Sequence, residues 1–111
     1  MTLTYLASPY SHINSDVRQQ RFEAASKAMA ELMLEGHLVY SPIAMTHHAA
    51  VNHGLPYTFH YWEKHCIAFL SISSRMVVLQ LPGWEESVGV NYEIEWMLDR
   101  WLCVEYRRVK G

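Results

Sequence analysis

Residues 75–101 read RMVVLQLPGWEESVGVNYEIEWMLDRW and decide how the chain is expected to fold. The apolar run Arg75–Leu81 predicts a buried strand, which Pro82 and Gly83 end. A helix is expected from about Val88 to Trp101, because apolar residues recur there at helical spacing. The residues expected to face inward are Val90, Ile94, Met97, Leu98 and Trp101. A strand, a turn and a helix in this order form the repeating unit of parallel α/β sheets.

The same alternation extends through the rest of the chain. A helix is expected from about Asp16 to Glu35, with Asn14 or Ser15 as its N-cap and Gly36 as a left-handed C-terminal cap. Its buried stripe is expected to comprise Phe22, Ala25, Met29, Leu32 and Met33. The other expected elements are strands over Thr2–Ala7, His37–Ser41 and Leu102–Arg107, a loop over Pro42–Tyr57 and a helix over Thr58–Ser71. This order predicts an α/β fold around a mainly parallel sheet.

Composition excludes several classes of protein. A chain of 111 residues, half of them hydrophobic and 18% charged, fits one folded domain over residues 1–111. The net charge of -2 provides no basic field, so neither a nucleic acid nor a membrane is an expected partner. The N-terminus lacks the pattern of a secretory signal. Cys66 and Cys103 are too few for a disulfide framework or a cysteine-based zinc site, which favours the cytoplasm.

Three segments are expected at the carboxyl ends of the strands, where parallel sheets bind ligands. They are Ser8–Asn14, Pro42–Pro56 and Pro82–Gly89. The second contains His47 and His48, which are adjacent and form no metal-binding HExxH motif, so no metal site is expected. His47 has two interpretations: it contacts a phosphate or protonates a base, or it is bonded to the backbone.

Ser87 and Gly89 lie at the start of the helix after the third strand. The free amides of a helix N-terminus attract phosphate, and a glycine lets a ligand approach the backbone closely. Ser87 adds a hydroxyl that donates to such a phosphate. The alternative is that Ser87 only caps the helix. Arg18 and Arg21, in the first turns of the first helix, are further candidates for pairing with a phosphate.

Glu93 lies about one and a half turns into the same helix, on the side opposite to Glu95. A carboxylate facing the expected cleft acts as a nucleophile or stabilises a developing oxocarbenium ion. The alternative is a solvated glutamate on the helix surface. The aromatic residues Tyr57, Phe59, Tyr61 and Trp62 either stack on a base or belong to the core or a subunit interface.

These motifs resemble a known superfamily. Residues 87–94, SVGVNYEI, are similar to the S-x-G-x-x-x-E-[IL] segment of the nucleoside 2-deoxyribosyltransferase-like superfamily. The segments 5–11 (YLASPYS), 41–43 (SPI) and 81–84 (LPGW) look closest to the domain-of-unknown-function 1937 family. The resemblance spans nearly the whole chain. It implies a Rossmann-like (flavodoxin-like) three-layer sandwich with a four- or five-stranded sheet.

The resemblance also implies an activity, which is cleavage of an N-glycosidic bond in a nucleoside 5′-monophosphate or a nucleoside. Glu93 matches the nucleophile of the superfamily. Ser87 and Gly89 match the positions that hold the 5′-phosphate, and Ser8, Tyr10 and Ser11 match the first loop, which contacts the substrate. No metal or organic cofactor is implied. A homo-oligomer, commonly a dimer, is implied.

One position departs from the pattern of the superfamily. The helix before the third strand usually carries an Asp, and counting back from Leu81 without gaps gives Cys66 there. A thiol, with a reference pKa of about 8.5, does not replace a carboxylate. Glu63 or His65 takes the place of the Asp if the register slips. The alternative function is therefore a catalytically inactive nucleotide-binding protein that uses the same pocket.

Overall fold

The computed structural model describes residues 2–109 of the chain. It contains four strands, four α-helices and a short 3-10 helix within these residues. The strands are β1 (Leu3–Ala7), β2 (Leu38–Tyr40), β3 (Arg75–Leu79) and β4 (Cys103–Arg107). The α-helices are α1 (Ser15–Leu34), α2 (Pro42–His53), α3 (Phe59–Leu70) and α4 (Val88–Asp99), and the 3-10 helix spans Trp84–Glu86.

The strands form one sheet in the order β2-β1-β3-β4, and every pairing is parallel. Strand β1 pairs with β2 through Leu3–Leu38 and with β3 through Thr4–Arg75. The chain moves outward from β1 to β2 and then returns past β1 to β3. The strand order therefore reverses between β1 and β3, and a crevice opens at the carboxyl ends of strands at such a point.

Helices cover both faces of the sheet, which confirms the expected three-layer α/β sandwich. On one face, Leu6 and Val77 pack with Ala28 and Leu32 of α1. On the other face, a second buried cluster joins the sheet to α3 and α4, through Tyr5, Ala7, Met76, Val78, Leu70, Val90, Ile94 and Met97. Alternate residues of a strand point to opposite faces, so consecutive residues of β1 and β3 enter different layers. The central strands are thus buried on both sides, as expected for a parallel sheet.

Local capping explains where α1 begins and ends. The Asn14 side chain accepts a hydrogen bond from the amide of Asp16 at 2.7 Å, so Asn14 is the N-cap. Gly36 has a φ of 98°, which confirms the predicted left-handed residue after the helix.

The expected loop over Pro42–Tyr57 is wrong, because most of it is helix α2. Ser41 caps this helix by accepting a hydrogen bond from the Ala44 amide at 3.1 Å, and Pro42 occupies the first turn. Proline favours this position because its fixed φ suits a helix and no amide proton is lost. Gly54 ends the helix with a φ of 69°. The serine, proline and glycine were therefore helix boundaries rather than loop residues.

Three residues expected in the core are exposed. Met33 on α1 and Leu98 on α4 lie outside the buried faces of their helices, and Trp101 is 95% exposed. Helix α4 ends at Asp99, so Trp101 falls beyond it in a turn with a φ of 58°. The helical spacing that predicted an inward Trp101 does not apply after the helix has ended. Glu93 takes a buried position on α4 instead.

Candidate active site

A cavity of about 670 Å³ lies at the point where the strand order reverses. Its wall includes the segment after β1, the start of α2, helix α3 and the first turns of α4. The predicted site residues in this wall are Ser8, Tyr10, Ser11, Ser87, Gly89 and Glu93. The structure therefore brings together six of the seven residues singled out from the sequence. The seventh, His47, lies outside this wall.

Glu93 is buried at the inner end of the cavity, with 4% of its surface exposed. The Tyr5 hydroxyl, reaching across from β1, donates a hydrogen bond to its carboxylate. Burial raises the pKa of Glu93 to about 7, although the hydrogen bond from Tyr5 opposes the rise. The interpretation of Glu93 as a solvated surface residue is wrong. Glu95, two residues further on, is exposed.

Cys66 lies beside Glu93, on helix α3. Its side chain is buried and lines the cavity. Burial and the neighbouring Glu93 carboxylate raise the pKa of the thiol to about 12, so Cys66 is a neutral thiol at physiological pH. Neither Asp16 nor Asp99 lines the cavity. The side chain beside Glu93 on α3 is therefore a thiol, and no Asp within residues 2–109 lines the cavity.

Tyr5 is a residue of the site that the sequence analysis assigned only to a strand. Burial, followed by the nearby Glu93 carboxylate, raises its pKa well above the ordinary value, so the phenol stays protonated and donates. A signal was present in the sequence. Tyr5 alternates with Leu6 on β1, which directs it to the same face of the sheet as α4.

Ser87 caps helix α4, because its Oγ accepts a hydrogen bond from the Val90 amide at 3.2 Å. Ser87 is therefore the N-cap of α4, and its hydroxyl proton remains available to a ligand. The amides of Val88 and Gly89 precede the first hydrogen bond within a helix. They add the partial positive charge of the helix N-terminus to this part of the cavity wall.

The structure gives a packing reason for a glycine at position 89, which the sequence did not reveal. A Cβ atom at this position would lie 2.8 Å from Cδ1 of Phe59, which is closer than such atoms approach. Glycine therefore allows Phe59 of α3 to pack against the first turn of α4. The contact fixes the distance between two walls of the cavity.

Ser8 follows β1 directly and is 4% exposed. Its Oγ is the one buried side-chain oxygen or nitrogen in the described part of the chain without a hydrogen-bond partner. A buried hydroxyl without a partner costs stability, and a bound ligand would remove that cost. Ser11 differs, because its hydroxyl donates to the Tyr57 carbonyl at 2.7 Å.

Arg21 links two loops at the mouth of the cavity. Its guanidinium donates to the Ser11 carbonyl at 3.0 Å and to the Pro82 carbonyl at 3.2 Å. It lines the cavity, and Arg18 does not. Arg18 lies over the Tyr57 ring instead. Of the two arginines weighed as phosphate partners, the structure brings only Arg21 to the cavity.

The family comparison can now be set beside this geometry. The model of the domain of unknown function DUF1937 matches residues 2–106. The chain belongs to the DUF1937 family. This confirms the nearer of the two resemblances seen in the sequence. No curated protein matches the chain.

In this DUF1937 protein, His47 belongs to helix α2 and lies behind Tyr10. Its Nδ1 is 2.6 Å from the Tyr10 hydroxyl, and its ring stacks on Phe22 at 4.3 Å between centroids. Burial lowers the pKa of His47, and the positive charge of Arg18 lowers it further. His47 therefore contacts the cavity through Tyr10 rather than directly.

The aromatic residues weighed in the sequence analysis lie just before helix α3 and within it. Tyr57, Phe59 and Trp62 line the cavity, and Tyr61 is half exposed. His65 also lines the cavity, with Nε2 3.0 Å from the Tyr40 hydroxyl, whereas Glu63 does not line it. Of the two substitutes considered for the missing Asp, only His65 reaches the site.

The part of the chain from residue 2 to residue 109 shows neither a metal cluster nor a membrane-spanning helix. No three His, Cys, Asp or Glu side chains in this range are arranged to hold a metal ion. No helix in the same range has the length and hydropathy needed to cross a membrane.

Proposed function

We propose that this DUF1937 protein cleaves the N-glycosidic bond of a nucleoside 5′-monophosphate, as a glycosidase or a deoxyribosyltransferase-like enzyme. The observation that carries the proposal is the buried carboxyl group of Glu93, which lines a cavity at the β1–β3 reversal. A carboxyl group withdrawn from water but open to a cavity is costly to the fold. Such groups cluster at catalytic sites.

The dimensions of the cavity wall support a sugar phosphate as the ligand. Glu93 follows Ser87 by six residues, which is about 9 Å along a helix. This separation suits a pentose with its anomeric carbon C1′ beside Glu93 and its 5′-phosphate at the start of α4. The amides of α4, the Ser87 hydroxyl and the unpartnered Ser8 hydroxyl supply donors for the phosphate. Arg21 adds a positive charge at the same end.

The proposed reaction breaks the bond between C1′ and the base nitrogen. The bonding electrons leave with the base, and the sugar ring becomes positively charged. The Glu93 carboxylate either bonds to C1′ or shields this charge without a covalent bond, and both remain part of the proposal. Water then adds to C1′ in hydrolysis, or a second base adds in transfer. Tyr5 holds the carboxylate in place through its hydrogen bond.

The departing base requires a proton, and Cys66, with a pKa of about 12, is a weak acid. We propose His65 as the proton donor, because its ring lines the cavity close to the aromatic side chains expected to hold the base. Trp62 is the nearest of these, with its ring edge-on to His65 at 5.8 Å between centroids.

A second candidate function is a catalytically inactive nucleotide-binding protein with the same pocket. The observation that favours it is Cys66, a neutral thiol at the position expected to carry a carboxylate. Binding needs the donors at the start of α4 and the aromatic wall, and it does not need an ionised Glu93. The two functions therefore differ in their dependence on Glu93.

A panel of purine and pyrimidine nucleoside 5′-monophosphates, incubated with the protein, separates the two functions. The enzyme releases free base, which chromatography detects, and Glu93→Gln abolishes the release while it preserves nucleotide binding. Binding of a nucleotide without release of base by the wild-type protein would establish the inactive binder. Absence of both binding and release would refute both functions.

The proposal also covers the location, the oligomeric state and the partner of the protein. We propose a cytoplasmic homo-oligomer whose partner is a small nucleotide and which needs no cofactor. Leu98 and Trp101, exposed large apolar residues near the end of α4, suit a subunit contact. Size-exclusion chromatography with light scattering tests it, and a monomer at micromolar concentration would refute the oligomer.

A further inference from the structure

A chain of hydrogen bonds runs from the surface of α1 to the cavity. The Gln19 amide nitrogen donates to Glu23 at 3.3 Å, and the Gln19 oxygen lies 2.9 Å from His47 Nε2. His47 Nδ1 lies 2.6 Å from the Tyr10 hydroxyl. Tyr10 then lines the cavity that contains Glu93. The four side chains therefore form one continuous path, and the polarity of each bond depends on the one before it.

The Glu23 carboxylate, at the outer end of this chain of hydrogen bonds, determines which atoms along it donate and which accept. An ionised carboxylate only accepts hydrogen bonds, so the Gln19 amide group turns its nitrogen toward Glu23. Its oxygen then faces His47 and requires a donor. Nε2 of His47 must carry the ring proton, since it is the atom that faces this oxygen.

A neutral imidazole carries a proton on one nitrogen only. With the proton on Nε2, Nδ1 of His47 is an acceptor, and Tyr10 must donate its hydroxyl proton to it. His47 is held neutral by its surroundings: burial, Arg18 and His48 all lower its pKa. The Tyr10 proton is thus committed to His47. The Arg18 guanidinium also donates to the Tyr10 oxygen, so this oxygen can offer the cavity only a remaining lone pair and no proton.

We propose that Tyr10 is a specificity residue that presents a fixed hydrogen-bond acceptor to the ligand, with Gln19 and His47 as the positioning residues that fix its polarity. The inference rests on the proposed function for the identity of the ligand. It adds a chemical requirement: the ligand carries an O–H or N–H donor beside Tyr10. A phosphate oxygen or a carbonyl is disfavoured there, because two acceptors would face each other.

Two parts of a nucleotide supply such a donor, a hydroxyl of the pentose and an exocyclic amino group of the base. Both offer the same chemistry to Tyr10. The requirement also separates the two polar ends of the cavity. The start of α4 offers donors to an anion, whereas Tyr10 offers an acceptor to a neutral donor.

The polarity can be tested without a ligand, by the 15N chemical shifts of the imidazole nitrogens in histidine-labelled protein at neutral pH. His47→Gln identifies the His47 signals. The proposal expects the proton on Nε2 and none on Nδ1. It also expects Gln19→Glu, which keeps an acceptor, to preserve this tautomer, and Gln19→Leu to lose the preference. A proton on Nδ1 in the wild-type protein would overturn the proposal.

The selection of a ligand with a donor beside Tyr10 is tested by measuring nucleotide binding to the Glu93→Gln protein, which consumes no substrate. The probes are adenosine 5′-monophosphate and three relatives that each lack one donor group: its 2′-deoxy and 3′-deoxy forms and purine riboside 5′-monophosphate, which lacks the amino group of the base. One of these losses is expected to weaken binding about 2- to 10-fold. Adding Tyr10→Phe should remove that difference and leave the other two unchanged.

The relative whose affinity difference from adenosine 5′-monophosphate disappears with Tyr10→Phe shows whether the donor belongs to the sugar or to the base. If Tyr10→Phe changes the affinity for all four nucleotides by the same factor, the selection is refuted. If none of the four binds, the proposed function and the selection both fail, and the His47 tautomer still decides whether Tyr10 is a fixed acceptor.

Discussion

The floor and the rim of the cavity differ in whether their polar groups have hydrogen-bond partners within the protein. The floor consists of Tyr5, Cys66 and Glu93, which are buried and satisfy one another's hydrogen bonds. The rim consists of Ser8, whose buried hydroxyl has no hydrogen-bond partner, and the first turn of α4, whose first amides precede the hydrogen bonds within the helix. This difference indicates that the floor holds a reactive group in a set position, whereas the rim completes its hydrogen bonds with a ligand.

The largest expected effect is on the floor. Glu93→Gln keeps the shape of the side chain and its acceptor for Tyr5 but removes the charge at C1′. We expect base release to fall by more than about 10³-fold, with nucleotide affinity changed by less than about tenfold. Rates of base release and calorimetric binding measure the two quantities. A variant that keeps a tenth of the wild-type rate would mean that Glu93 is not the reacting group.

The cost of burying the Glu93 carboxyl group should appear in the free energy of unfolding. The pKa of Glu93 is raised from 4.5 to about 7 by folding, so the folded protein becomes less stable as the pH rises through this interval. Glu93→Gln escapes this cost. We expect it to be more stable than wild type by about 3 kcal/mol at pH 8 and about equal at pH 4.5.

Urea denaturation at the two pH values measures this difference. Glu95→Gln is the matched control on the same helix, because Glu95 is exposed. It is expected to change stability by less than about 0.5 kcal/mol at either pH. A gain for Glu93→Gln that does not grow with pH would show that its carboxyl group is not held in a desolvated site.

The pH dependence of activity should follow the same group. The reacting carboxyl must be ionised, and its pKa is about 7. We expect kcat/KM for base release to rise about tenfold per pH unit below pH 7 as Glu93 ionises, and to fall again at higher pH as the proposed proton donor, His65, loses its proton. The rate profile from pH 5 to pH 9 measures this. A rate already constant from pH 5 upward would contradict an ionisation near neutrality.

The smallest effects separate the two serines. Ser87→Ala removes a helix cap and should destabilise the fold by about 1 kcal/mol, while Ser8→Ala removes an unpartnered hydroxyl and should leave stability equal or slightly higher. Both should weaken nucleoside monophosphates more than free nucleosides, by about 1–2 kcal/mol. Thermal unfolding and calorimetry give the two quantities. Equal destabilisation by both variants would remove the distinction between a cap and a free hydroxyl.

Much of the fold was readable from the sequence because its signals are local. The buried run of β3 and the caps Asn14 and Gly36 predicted their elements close to the observed bounds. Helix α2 was missed because Ser41 was taken as the end of a strand, and Pro42 and Gly54 as loop residues. These residue types are equally suited to turns and to helix boundaries, and only the contacts distinguish the two.

The site was readable in part. Ser8 follows β1, Ser87 caps the start of α4 and Glu93 lies in the second turn of that helix, so all three line one cavity at the carboxyl edge of the sheet. The partners of these residues were not readable. Tyr5 reaches Glu93 across 88 residues of sequence, and Gly89 accommodates a ring from another helix. Such long-range contacts depend on packing, which residue spacing alone does not encode.

The central claim is that the anomeric carbon lies at Glu93 while the phosphate lies at the start of α4. A crystal structure of Glu93→Gln with the monophosphate that the panel identifies tests it most directly. We expect C1′ within about 3.5 Å of the side chain at position 93 and the phosphate on the amides of Val88 and Gly89. A phosphate bound elsewhere, or a sugar ring turned away from position 93, would contradict the account.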